Sequence, residues 1–222
     1  GLPSPSFDPW EDEYAQGTYS AAAVFAGLKA AAELALVKGE KEVSQKWLAA
    51  SKTVQEGILK HQWSDRHNRF MRGVNRRVYR DTHDSALGRG GKAFTGTDPS
   101  GLYQTHFIGE DERVDAALLG LAFPFAVLDP LDERMQATVR AIEERLWNRR
   151  TGGLHRYEGD GYREGNPWLC KWCLNQANQH LLLPEQADKN LGGPAWAMPL
   201  NWSHAMFLLT HLALHGRLSI LK

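Results

Sequence analysis

Cysteine is nearly missing from this chain. Only two occur, Cys170 and Cys173, too few for a disulfide framework. A surplus of either charge is missing as well. Lys plus Arg and Asp plus Glu both total 26, so a basic footprint for nucleic acid is not expected. Long apolar runs are short of the roughly 18–20 residues that cross a bilayer. The most apolar stretch, AAAVFAGLKAAAELALV at 21–37, carries Lys29 and Glu33 and reads as a buried helix, with no membrane partner implied. Residues 1–7, GLPSPSF, lack the basic start and apolar core of a signal peptide. A strand-rich section is not evident either.

What is there is apolar mass, tryptophan and helical periodicity. AVILMFWYC make up 42% of 222 residues, enough to bury a core as one domain or as part of a larger one. Helices are expected at about 18–38, 40–62, 112–127, 131–148, 168–182 and 203–217. In the second, Val43, Trp47, Ala50, Val54 and Ile58 recur at helical spacing. The third is apolar nearly all round, with Pro124 as a kink or early end. The fourth opens on Asp129-Pro130, a good helix start, and lines up Met135, Val139, Ile142 and Leu146. Long loops are expected at 64–111, 149–167 and 184–201, and loops of that length usually carry function. Helices in pairs, with Trp and carboxylates in the connections, point to an all-α helical toroid.

One short stretch concentrates the chemistry. Residues 8–13, DPWEDE, crowd Asp8, Glu11, Asp12 and Glu13 around Trp10. Two readings compete. Acids complement the macrodipole of a following helix N-terminus, and the acids alone favour that reading. The other is a sugar site, where an aromatic ring supplies an apolar face and carboxylates supply acid and hydrogen bonds.

Three further stretches decide between them: RYEGDGYREGNPW at 156–168, LPEQ at 183–186 and PLNWSHA at 199–205. With DPWED, and in this order, they resemble glycoside hydrolase family 15, the glucoamylase and glucodextranase group. The resemblance spans about residues 2–205. It implies an (α/α)6 toroid that hydrolyses α-glucosidic bonds from a non-reducing end, releases glucose and inverts the anomeric centre without metal or cofactor. Position by position, Glu11 matches the general acid and Glu185 the general base. Asp8 and Trp10 match residues around the first sugar subsite, and Asp12 the contact to the next sugar. Arg156 and Asp160 match polar sugar ligands, Trp168 a stacking ring, and Trp202 the support of the base loop. Such chemistry needs one protonated carboxyl for the leaving oxygen and one carboxylate to activate water, about 6.5–9.5 Å apart. Neighbouring acids and burial against Trp10 are expected to keep Glu11 protonated.

Departures from the pattern shape the rest. Pro9 replaces Leu, Asp12 replaces Glu, and the stretch from Trp168 to Leu183 is short. About six helices are expected where a full toroid needs twelve. The chain therefore reads, over 1–222, as a C-terminal part of such a domain, with an α-glucoside substrate and the N-terminal half of the same barrel as its partners. A non-catalytic, sugar- or partner-binding member of the same architecture is the alternative.

Other candidates carry less. Glu158 and Glu164 are rivals for the base, Glu164 the first choice should Glu185 point away, though solvated loop acids are the simpler reading. Cys170 and Cys173 read as packed thiols one helical turn apart. His204, His211 and His215 read as core or interhelical histidines, with a role for His204 in orienting the base loop. RGVNRRVYR at 72–80 reads as a solvated loop or a contact with neighbouring acids. GRGGKAFTG at 88–96 lacks the spacing of a phosphate loop.

Overall fold

A computed structural model describes residues 1–97, 100–150, 153–162, 186–191 and 194–195. The chain divides into two compact units. One is Gly1–Arg113 with Ala117–Arg140, the other Val114–Ala116 with Ala141–Lys222.

The first unit opens with a strand pair, β1 (Ser6–Phe7) and β2 (Tyr14–Gly17), and runs straight into α1 (Thr18–Val37) and α2 (Lys41–His61). The expected periodicity holds. Helix α1 buries Ala21, Ala22, Phe25, Ala32 and Ala35, and α2 buries Ser44, Ser51, Val54, Gly57 and Ile58. Small residues at these positions let the two helices pack closely across a short connection. There Gly39 takes φ 83°, and the amides of Lys38, Gly39 and Glu40 return to the carbonyls of Leu34, Leu36 and Ala35. That pattern ends a helix and suits glycine, which has no Cβ to clash. At 20 residues, α1 is longer than the apolar stretch read from the sequence, and by length and composition it also matches a membrane span. Here it packs on α2 but leaves Leu34, Leu36 and Val37 exposed.

The residues read as a long loop at 64–111 hold most of the strands, which corrects the all-α expectation for the described residues. β3 (Trp63–Ser64) pairs with β4 (Arg69–Phe70), closed by an edge-to-face contact of Trp63 and Phe70. β5 (Gly73–Val78), α3 (Arg80–Gly88), β6 (Ala93–Thr97) and β7 (Gln104–Asp111) follow. The main sheet is antiparallel, in the order β1-β2-β5-β7-β6. Phe94 and Phe107, cross-strand partners, stack with centroids 5.0 Å apart. Gly73 sits where a Cβ would meet the Gln16 carbonyl oxygen at 3.0 Å, so only glycine lets β5 lie this close to β2.

The helix expected at 112–127 is not formed. A 3-10 helix covers Ala116–Leu121, and the Val127 and Leu128 amides both turn back to the Leu121 carbonyl. Pro124 has no N–H to continue a helix. Helix α4 (Glu133–Leu146) begins three residues after Pro130, because Asp132 is the residue that caps it: its carboxylate accepts from the Arg134 amide at 2.9 Å and its carbonyl from the Gln136 amide. Met135, Ile142 and Leu146 are buried as their spacing requires, and Val139 partly so.

In the second unit, isolated bridges join Trp147 to Leu154 and Asp115 to Tyr157. A two-stranded pair joins β8 (Gln186–Ala187) to β9 (Pro194–Ala195). The helices expected at 168–182 and 203–217 lie outside the described residues.

Candidate active site

DPWEDE is the loop of a hairpin, not the start of a helix. Phe7 pairs with Tyr14, and the Asp8 amide donates to the Glu13 carbonyl at 2.9 Å, so the six residues close a turn. Helix α1 begins later, at Thr18, anchored by its amide to the Arg72 carbonyl (2.9 Å) and by its hydroxyl to the Met71 carbonyl (2.7 Å). The acids therefore do not serve as a helix cap.

They organise the loop instead. Asp8 Oδ1 accepts from the backbone amides of Trp10 (3.2 Å), Asp12 (3.0 Å) and Glu13 (3.3 Å). Its other oxygen takes an ion pair from Arg72, with both side chains more than nine-tenths buried. The same guanidinium reaches Asp12 at 3.4 Å. Glu13 accepts from Arg76 at 3.0 Å and also from Arg113. Arg113 in turn forks onto Asp111 at 2.9 and 2.7 Å. Burial alone would push Asp111 up. The hydrogen bond and charge of Arg113, joined by the charges of Arg72 and Arg76, outweigh it and hold Asp111 below the ordinary carboxylate range. Burial likewise pulls Arg113 down, and its bonds to Asp111 and Glu13 raise it further than burial lowers it.

Glu11 is the exception. It takes φ 58°, a left-handed conformation that costs a non-glycine residue about 1–2 kcal/mol. Its amide donates to the Asp8 carbonyl at 3.1 Å. The side chain is exposed, and its carboxylate is the one acid of the loop with no hydrogen bond or ion pair among the described residues. The expected burial against Trp10 is not met there.

Beside the loop lies a groove of about 550 Å³, lined by Phe7, Asp12, Tyr14, Arg77, Tyr79 and His106 among others. The sequence reading passed over this groove and the arginine set of Arg72, Arg76 and Arg113. The signal for the set was the basic run at 72–80, whose reading as a contact with neighbouring acids describes what Arg72 and Arg76 do.

In the second unit, Arg156 and Asp160 bind one another. The guanidinium forks onto the carboxylate at 2.8 and 2.7 Å, and the Tyr162 amide adds a third bond at 3.0 Å. Burial pushes Asp160 up, but these bonds and the Arg156 charge hold it below its ordinary value. The Arg156 guanidinium also lies 4.6 Å from the Tyr162 ring centroid. Burial lowers His155 nearby, against the charge of Asp160 and with that of Lys189. Glu158, the rival base, holds the Val114 amide at 2.7 Å and Arg145 at 3.1 Å, so both of its oxygens support structure. Glu185, Glu164, Trp168, Trp202, His204, His211, His215 and the two cysteines lie outside the described residues. Among the described residues no group of three or more His, Cys, Asp or Glu side chains is arranged to hold a metal.

Known proteins resemble this chain in sequence and in fold. An uncharacterized glycosyl hydrolase of Methanocaldococcus jannaschii is 30% identical over 93% of this chain and 34% of its own length. A bacterial glucoamylase solved with acarbose shares the fold with a TM-score of 0.74 at 19% identity, over 99% of this chain and 36% of that one. The family 15 glucoamylase of Hypocrea jecorina aligns with a TM-score of 0.65 at 14% identity, over 96% and 44%. The chain thus spans about a third of the curated relative and of the bacterial enzyme. Residues 2–177 match the glycosyl hydrolases family 15, and the chain belongs to that family.

Proposed function

We propose that this chain supplies both catalytic carboxyls, Glu11 as general acid and Glu185 as general base, of an inverting, exo-acting glycoside hydrolase that releases glucose from α-glucosides. The observation that carries the reading is the division of labour in the hairpin loop. Asp8, Asp12 and Glu13 are taken up by arginines, while Glu11 stands exposed at the turn, its carboxylate without a hydrogen bond or ion pair among the described residues. It is the acid that the family resemblance designates as the proton donor.

In the proposed step, the carboxylic acid of Glu11 gives its proton to the glycosidic oxygen as the bond from C1 to that oxygen breaks. Glu185 takes a proton from a water whose oxygen attacks C1 from the opposite face. The sugar leaves with inverted configuration; a mechanism of this kind requires about 6.5–9.5 Å between its two carboxyls to admit the water. Asp8 and Trp10 fix the loop around the first sugar and Asp12 borders the next. By the family resemblance alone, Arg156, Asp160 and Trp168 are further sugar ligands and Trp202 supports the base loop. The complete catalytic domain is an (α/α)6 toroid, and the exposed apolar residues of α1, Leu34, Leu36 and Val37, pack against its remaining helices.

The test is hydrolysis of maltose, isomaltose and trehalose, by the chain alone and with any N-terminal companion, with the anomer of released glucose followed by NMR. Glu11→Gln and Glu185→Gln each remove most activity, at least about 100-fold, with folding intact. Full activity in either variant, or first release of the α-anomer, overturns the reading. Quenching of Trp fluorescence by sugar without turnover in the wild type indicates a binding protein instead.

A further inference from the structure

The groove beside the hairpin holds a cation that nothing in the loop answers. Around it the other charges are matched. Glu13 is met by Arg76 and Arg113, Asp12 by Arg72, and Arg80 by Asp84 at 3.5 Å. The Arg77 side chain makes no ion pair or hydrogen bond among the described residues. Its guanidinium lies instead 4.6 Å from the Tyr14 ring centroid and 5.7 Å from that of Phe7. Those two rings meet edge to face at 5.4 Å, and the cation lies against both. A planar guanidinium seated on aromatic rings keeps its forked N–H groups for a ligand, and the fork matches a carboxylate or phosphate.

Arg77 is linked to the leaving sugar through Asp12, which the family resemblance places there. The groove that it lines also includes Asp12, and its size suits a small-molecule site. Thr82, Gln104 and His106 line it too. Occupation of Tyr14 by Arg77 also bears on the ligand: a neutral sugar would stack on an open aromatic face, and this one is covered by a cation.

We propose that the groove receives the leaving-group side of the substrate, and that this side carries an anionic group, carboxylate or phosphate, bound by Arg77. The proposal rests on the functional reading above and adds the chemical class of the leaving group. A charge-assisted pair of this kind is worth about tenfold or more in affinity.

The experiment is calorimetric titration of the full chain with maltose, maltobionate and maltose 1-phosphate, which place nothing, a carboxylate or a phosphate on the leaving sugar. At low salt one or both anionic glucosides bind about tenfold tighter than maltose, and the stronger identifies the group. The advantage shrinks with ionic strength and falls to within about twofold in Arg77→Gln, an exposed position whose folding is checked by circular dichroism. Equal binding of all three, or a preference that survives Arg77→Gln, overturns the proposal. If maltose is hydrolysed without any preference for the anions, this inference fails and the glycosidase reading stands. If no glucoside binds or turns over, both fall.

Discussion

Replacing Arg72 by Met tests the account of the hairpin most directly. The Arg72 and Asp8 side chains are 5% and 8% exposed, so the change leaves a carboxylate buried without its cation. Losing one partner of a buried pair costs about 3–5 kcal/mol. Asp8 keeps three amide donors at 3.0–3.3 Å, which places the expected loss near the lower figure, about 3 kcal/mol. For a chain of this size that corresponds to a fall in Tm of about 6–12 °C. Asp8→Asn is milder, about 1–2 kcal/mol, because its side-chain oxygen still accepts from the same amides and Arg72 still reaches Asp12 at 3.4 Å. The double variant costs less than the two singles together, since neither charge is then buried alone. Urea denaturation gives the global values. Hydrogen exchange at the amides of Trp10, Asp12 and Glu13 gives the local one, and all three exchange faster in Arg72→Met. A loss below about 1 kcal/mol, or unchanged protection at these three amides, refutes the claim that Asp8 and Arg72 hold the loop.

Two further outcomes follow from the same contacts. Asp111 has its folded pKa depressed by Arg113 despite burial. Its contribution to stability is therefore full above the unfolded value of about 3.9 and is lost as pH falls through the lower folded value. Below about pH 4 the urea midpoint of the wild type falls more steeply than that of Asp111→Asn, and parallel slopes would contradict this. Glu11→Gly relieves the left-handed backbone at φ 58° while loosening the unfolded chain. Relief of about 1–2 kcal/mol exceeds the entropic cost of about 0.4–1 kcal/mol. Glu11→Gly is thus at least as stable as Glu11→Gln in urea, and a clearly less stable glycine variant shows that the turn is not strained.

Helices α1, α2 and α4 were legible because each buries one stripe, so that Val54, Ile58, Met135, Ile142 and Leu146 recur at the period of the helix. The sheet was not, because its strands satisfy themselves by charge more than by apolar alternation. In GVNRRV, Arg76 binds Glu13 and Arg77 lies on Tyr14. Neither residue reads as the side of a strand, and the partners stand more than sixty positions away. The stretch at 112–127 misled for the opposite reason, since an apolar run looks helical whether or not Pro124 permits it. The acids of the loop were legible through motif order alone. Their arginines were visible only as a basic run, with nothing local to show which acid each would meet.

The hairpin also explains why so many carboxylates stand in six residues of a chain with no net charge. A two-residue strand such as β1 cannot fix a loop by backbone pairing alone, and a left-handed Glu11 works against it. Asp8 supplies the missing rigidity from inside, by gathering three amides, and Arg72 makes the buried carboxylate tolerable. Glu13 does the same from the far end through Arg76 and Arg113, with Asp111 closing the set. Each acid that is spent in this way fixes the backbone on either side of Glu11. The strain at Glu11 is thus sustained by its neighbours, which is what its proposed role as proton donor would require. On this argument Arg72 belongs to the proposed site as much as the acids do: remove Arg72 and Glu11 keeps its carboxyl but loses its fixed position.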